Sequence, residues 1–251
     1  MRRALDEPER LECRSGPARP VAAVHLGATS ITGVCAHGSG CHPATTTRQL
    51  RHSTAYDNLI RDVVGHACTA AGAAASNLEH VVVGVSYASL HRSHMFRRIP
   101  TGPYWQDAIA TGLEFQLATR VNAASAIELA ALAESQYGLA EVGRDFVLVQ
   151  AGGYVEVGLF ADARLRTGGI VGGPGHPRGV RERLQLAVIP LLRLSRARLV
   201  VIGGGNRQRI PALCAALRAA LIENGLGRSA VVPSGVVGDP VVATGRWADH
   251  I

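Results

Sequence analysis

The first residues of the chain alternate charge with Pro and Gly and show no period, so residues 1–19 are expected to form a disordered tail. From Val21 the pattern changes. VAAVH is an apolar run of strand length, GATS supplies a tight turn, and ITGVCA returns as a second apolar run, which predicts a β-hairpin with a glycine-bearing loop. Tyr56, Leu59, Ile60, Val63, Val64, Ala67 and Ala71 recur at i, i+3, i+4 and i+7, predicting an amphipathic helix that ends near Gly72. A strand over Val81–Val85 follows, and then an irregular stretch, SLHRSHMFRRIPTGPYW. Beyond it a helix is expected near Gln106–Leu117, and an Ala-rich helix from Ala123 to Tyr137 that Gly138 terminates.

The second half repeats the opening. Phe146–Val149 reads as a strand, AGG as a turn and YVEVGLF as a returning strand, followed by a turn at Ala161–Arg164 and the Gly/Pro-rich stretch TGGIVGGPGHPRG. A Leu- and Arg-rich helix, the strand LVVIGGG, a helix over Ile210–Glu223, a short strand at Val231 and a last helix after Gly238 complete the pattern. Two halves that both begin strand, glycine turn, strand suggest an internal duplication. The fold class expected is α/β, with an N-terminal lobe over residues 20–122 and a C-terminal lobe over residues 123–251.

Composition narrows the function classes. With 47% hydrophobic and 18% charged residues, 251 residues suffice for a real core. No stretch approaches about 18 apolar, uncharged residues, and the amino-terminal segment has no apolar signal centre, so a cytoplasmic protein without membrane attachment is expected. The five cysteines form no CxxC pair and read as buried thiols rather than a disulfide framework or zinc site. The net charge is +7 and all 26 basic residues are arginine, a bias expected from GC-rich codons. The arginines are scattered and accompany no DNA-binding motif, so direct nucleic-acid binding is not expected.

Glycine turns at strand ends can cradle phosphate with backbone N–H groups. Four ordered segments carry a resemblance: VNAASAIELAALAESQYG, DFVLVQAGGYVEVGLFADARLRTGGIVGGPGH, VVIGGG and VVGDPVVATG. Together they resemble the ROK family of sugar kinases and sugar-responsive repressors, within the actin-like ATPase superfamily. The resemblance implies two actin-like (ribonuclease H-like) lobes around a cleft. It also implies a nucleotide held by Gly27, Thr29, Gly152, Gly153, Gly203, Gly204 and Gly205, with residual sugar contacts at Thr101, Asn122 and His176. Only the 26 residues Pro177–Ile202 separate His176 from Gly203, where the family carries a long insertion, so the second lobe is expected to be abbreviated.

The chain departs from the family at its chemistry. The first loop reads HLGAT, with His25 where the family has an Asp that helps hold the metal–phosphate group, and imidazole is a poor ligand for magnesium. The catalytic Asp, which follows an Asn at a helix start, corresponds to Ala123 after Asn122, or to Ala126 if the alignment is anchored on ALAESQYG. The second phosphate loop is Ala151-Gly152-Gly153, followed by Tyr154, Val155 and Glu156, and Glu156 beside a phosphate would repel it. In the GExGH pattern the Glu is replaced by Gly173 and only His176 survives; Thr101 stands in place of an Asn, and the cysteine-rich zinc loop is absent, so no zinc is expected. Losing a positioned general base costs about 10²- to 10⁴-fold.

These departures point to a degenerate, sugar-kinase-like protein that binds a sugar-like small molecule as a regulator or partner subunit. The alternatives are an ATP-dependent sugar or cyclitol kinase using Mg-ATP with relocated carboxylates, Glu128 and Asp107, and a biosynthetic enzyme that reuses the cleft, for which no nucleophile–base set is visible. Glu128 also reads as an ordinary helix-face residue. A direct repressor is disfavoured because residues 1–19 are too few for a winged-helix domain. Asn122 and His176 read equally as a structural cap and a loop histidine, and Gly203–Gly205 as a simple strand-end turn. His91 and His94, with Arg92, Arg97 and Arg98 nearby, form either a metal or anion site or a solvated basic loop, while Trp105 and Trp247 are expected to pack. An apolar surface left by the shortened lobe would favour association with a second copy or a paralogue.

Overall fold

The computed structural model describes residues 19–27, 29–36, 44–50, 56–92, 104–138, 140, 144–152, 154–173, 179–204 and 207–235. The first half contains β1 (Val21–Leu26), β2 (Ser30–Ala36), β3 (Ala44–Gln49), α1 (Tyr56–Ala70), β4 (His80–Val85), α2 (Tyr87–Arg92), α3 (Trp105–Leu117) and β5 (Arg120–Ser125). The second contains α4 (Ala126–Tyr137), β6 (Phe146–Ala151), β7 (Val155–Ala161), β8 (Arg164–Gly172), α5 (Val180–Leu194), β9 (Leu199–Gly203), α6 (Ile210–Glu223) and β10 (Ala230–Pro233).

The strands form two five-stranded sheets, ordered β3-β2-β1-β4-β5 and β10-β9-β6-β7-β8. In the first, β1, β2 and β3 are an antiparallel meander and β4 and β5 run parallel to β1. In the second, β6, β7 and β8 repeat the meander while β9 and β10 add in parallel beside β6. The repeat inferred from the hairpins therefore extends to the topology of each whole sheet. Strand β4, HVVVGV, is buried at every position, which is why it reads as a continuous apolar run rather than an alternation.

Four elements differ from expectation. The polar segment ATTTRQ is an edge strand, β3, whose threonines carry strand propensity without burying a full face. Part of the Gly-rich stretch after the second hairpin is β8, paired to β7 with register shifts at Val155/Glu156 and Leu159/Phe160. Helix α2 lies in the segment read as irregular. Finally, the Ala-rich helix starts at Ala126, not Ala123: Asn122 and Ala123 pair with Val82 and Val83 in the ladder, so tertiary pairing overrides the helix propensity of the alanines. The first sheet thus continues to Ser125, past the division expected after Asn122. The helix expected after Gly238 and the tail up to residue 18 lie outside the described residues.

Each sheet carries its own core. Ile60, Val63, Val64, Ala67 and Cys68 of α1 pack onto Val24, Ile31 and Cys35. The helix comes so close that a Cβ at Gly33 would overlap Val63. In the second half Leu184, Val188 and Leu192 of α5 and Cys214, Leu217 and Leu221 of α6 pack with Val147, Val149, Val155 and Val157. Helix α4 joins the halves: Leu129 packs with Val21 and Val82, while Ile127, Ala130 and Ala131 pack with Phe146, Leu148 and Phe160. Glu134 of α4 is buried and accepts a hydrogen bond from Ser234 beyond β10. Cys35, Cys68 and Cys214 are buried and not disulfide-bonded among the described residues. Among the described residues no helix is long and apolar enough to cross a membrane.

Candidate functional site

Strands β1, β4 and β5 end together, with Leu26 opposite Val85 and Val85 opposite Ser125. The crevice beyond the carboxyl ends of parallel strands is where α/β sheets bind ligands. In the β1–β2 turn, Gly27 N–H donates to Ser30 O at 2.9 Å, and Ser89 of α2 donates its hydroxyl to Gly27 O at 2.6 Å and to Leu26 O at 3.2 Å. Thr29 is exposed, and its carbonyl accepts from Leu50 N–H at 2.8 Å. His25 is half-buried at the end of β1, opposite Thr32 and Gly84.

The equivalent turn of the second sheet is closed by Gly152 N–H donating to Tyr154 O at 2.9 Å. Gly203 ends β9 opposite Gln150, and Gly204 follows it against the end of β6. Gly204 has φ 134° and lies against Ala151, where a Cβ would overlap the Ala151 carbonyl, so only glycine fits. The Tyr154 ring lies on Gly173, where a Cβ would overlap it. The two turns do not fit a magnesium–phosphate group well: their described residues include no free carboxylate, the Leu26 and Gly27 carbonyls are held by Ser89, and His25 offers an imidazole rather than a hard oxygen.

Glu156 departs from expectation. Instead of facing a phosphate with a free charge, its carboxylate reaches from β7 to the first sheet, where Oε1 accepts from Ala88 N–H at 3.3 Å and a second backbone bond comes from Tyr87. The residue is only 6% exposed, and burial pushes its pKa up to about 7 against the opposing effect of these amides. The contacts continue from there. The Tyr87 hydroxyl bonds Ser125, and burial raises its pKa. Ser125 caps α4, its Oγ accepting from Glu128 N–H at 3.2 Å while its own backbone and hydroxyl bond the Glu128 carboxylate. Burial nevertheless raises the Glu128 pKa. A chain of polar contacts thus runs from β7 through the start of α2 to the start of α4.

Of the residues singled out from sequence, Asp107, Asn122, Ala123 and Glu128 come together around a pocket of about 340 Å³. It lies at the outer edge of β5, between α3 and α4. Asn122 Nδ2 is shielded from solvent and has no hydrogen-bond partner. Of the two positions expected to correspond to the catalytic base, Ala126 starts α4 and Ala123 sits in mid-strand. Thr101, Gly153, His176, Gly205, His94, Arg97, Arg98 and Trp247 lie outside the described residues, as do the side chains of His91 and Arg92. Trp105 packs against the first core. Among the described residues no group of three His, Cys, Asp or Glu could hold a metal. Sequence reading did not find Ser89, Tyr87 or the Glu156 link. The Ser125-x-x-Glu128 capping box was there to be read.

Two lobes with one repeated sheet topology, joined by a shared helix, give the chain the two-lobed fold found in ROK sugar kinases. Among solved structures the chain is similar to the inorganic polyphosphate/ATP-glucomannokinase of Arthrobacter sp. strain KM, with 18% identity over 92% of this chain and 98% of that chain and a TM-score of 0.61. It is similar to a ROK family glucokinase of Streptomyces griseus solved with glucose and AMPPNP, with 14% identity over 92% and 100% and a TM-score of 0.61. A third is a ROK family transcriptional regulator homologous to the E. coli MLC protein, with 14% identity over 92% and 78% and a TM-score of 0.63. At these identities the likeness is one of fold. No family model and no curated protein matches the sequence.

Proposed function

We propose that this chain is a sugar-kinase-like protein that does not transfer phosphate efficiently and instead binds a sugar-like small molecule as a regulator or partner subunit. One observation carries the reading: at the helix start where a catalytic base is expected the chain has Ala126, and the preceding Ser125 is engaged as a cap. His25 at the first turn, and Glu156 directed at α2, add to it. That one fold serves both kinases and a transcriptional regulator makes loss of transfer chemistry compatible with retention of the lobes. The test is ADP release with Mg-ATP and a sugar panel, alongside thermal shift with each ligand. A ligand at 100 times its dissociation constant adds about 2.7 kcal/mol of stability. Stabilisation by a sugar without ADP release supports the reading, whereas sugar-dependent turnover at rates typical of kinases, about 1 to 100 per second, refutes it.

A second reading, an ATP-dependent kinase with relocated carboxylates, is favoured by one feature: Asp107 and Glu128 line the same pocket as Asn122. It predicts that Glu128→Gln or Asp107→Asn abolishes any ADP release. Unchanged turnover in both variants removes it.

A further inference from the structure

We propose that the pocket at the outer edge of β5 is a binding site, separate from the inter-lobe crevice, for a small polyhydroxylated compound carrying a protonated amine. The proposal rests on the small-molecule reading above and gives that molecule a place and a chemistry.

The pocket is built by three elements. Gln106 and Asp107 come from the first turn of α3, Asn122 from the middle of β5, and Glu128, Leu129 and Leu132 from α4. None of its lining residues belongs to the β1–β2 turn, the β6–β7 turn or the end of β9. It is therefore not the crevice where the glycine turns lie. Its volume, about 340 Å³, is at the small end of ligand sites and suits a single sugar-sized ring.

The lining chooses the ligand. Asn122 Nδ2 is a shielded donor without a partner, which leaves an unmet demand for an acceptor such as a hydroxyl or ring oxygen. Among the described residues β5 pairs only with β4, which leaves its other edge without a strand. On that edge Val121 N–H is met by Glu114 Oε1 at 3.0 Å. Parallel-strand alternation puts the N–H and C=O of Ala123 on the same edge, where they can bond a hydroxyl. Leu129 and Leu132 offer an apolar wall to ring C–H groups. Among the described residues lining the pocket the charged groups are the two carboxylates, Asp107 and Glu128, with no Arg or His beside them. This balance repels phosphorylated sugars and attracts an ammonium group. Glu128 is already held on one side by Ser125, which fixes the carboxylate for a ligand on the other.

The experiment is isothermal titration of the full chain with glucosamine, glucose and glucose 6-phosphate, at a pH below the amine's pKa, and repeated on Asp107→Asn and Asn122→Leu. Asp107 is exposed, so its variant leaves the core intact. Asn122→Leu fills the cavity, and its fold is checked by circular dichroism. Glucosamine is expected to bind at least about tenfold more tightly than glucose, with glucose 6-phosphate weakest. Asp107→Asn should weaken glucosamine by about threefold to tenfold, and Asn122→Leu by more. Glucose binding as tightly as glucosamine overturns the amine assignment. Tight binding unchanged in both variants overturns the site, while leaving the small-molecule reading standing with its ligand in the crevice. No binding of any of the three overturns the pocket proposal, and the broader reading falls with it only if the full ligand panel is also silent.

Discussion

Replacing Glu156 with Gln tests the inter-lobe contact directly. The carboxylate sits 6% exposed between β7 and the start of α2, and its pKa is raised from 4.5 to about 7. That difference corresponds to about 3 kcal/mol between the protonated and charged forms in the folded protein. The sign follows from linkage: folding binds a proton between the two values, so this contribution is fully present below pH 4.5 and is lost as pH rises through about 7. Burial of the charge outweighs the two amides that hold it. Gln keeps an oxygen for Ala88 N–H but carries no charge. In urea titrations across a pH series, Glu156→Gln should match the unmodified protein near about pH 4 and exceed it by up to about 3 kcal/mol near about pH 8. The gap should open progressively from about pH 4.5 to about 7 and level off above that. A difference between the two proteins that does not change with pH would refute the argument. A variant less stable above neutrality would mean that the amides of α2 stabilise the carboxylate more than burial penalises it.

Four further substitutions probe packing and capping. Gly33→Ala puts a Cβ into Val63 and within 3.2 Å of its carbonyl oxygen, so α1 must lift from β2; a loss of about 1–3 kcal/mol is expected in thermal or urea unfolding. Gly204→Ala combines a φ of 134° with overlap of the Ala151 carbonyl and should destabilise by about 1–3 kcal/mol or more, read in the same assay. Ser125→Ala removes the cap of α4 and should lose about 1 kcal/mol. Because Tyr87 also bonds Ser125, Tyr87→Phe should be less costly in the Ser125→Ala background than alone, and additivity in the double-mutant cycle would contradict that link.

The parts of the fold legible in the sequence are those where one physical signal dominates. β1, β4 and β6 are buried almost throughout and read as apolar runs, and α1 shows its buried stripe at helical spacing. The edge strands β3 and β8 bury little and carry Thr, Arg or Gly, so no alternation marks them; they form because β2 and β7 offer an open edge. At Asn122–Ser125 two signals competed. Alanine favours helix locally, but the ladder to Val82–Val85 decides, and the capping box, a stronger local signal than the alanines, marks where the helix begins.

The site divides in the same way. Asn122 is expected from the resemblance as a sugar contact and Asp107 and Glu128 as relocated carboxylates, and α3, β5 and α4 bring all three to one pocket. The link from Glu156 to Ala88 spans 68 residues of sequence and has no local signature, because a buried carboxylate meeting the first amides of a short helix is created only when the two sheets are apposed. It also changes what Glu156 means for the crevice. A free acid between glycine turns would simply repel phosphate, whereas a carboxyl with a pKa of about 7, bonded across the lobes, ties the crevice's closure to its own protonation. Opening the lobes far enough to break this contact would release those bonds and hydrate the carboxylate, a change favoured as pH rises from about 4.5 to about 7 and independent of pH above that. A ligand whose entry breaks the contact should then gain affinity across that window, a dependence that Glu156→Gln flattens; a ligand whose affinity is flat with pH in both proteins binds without moving this contact.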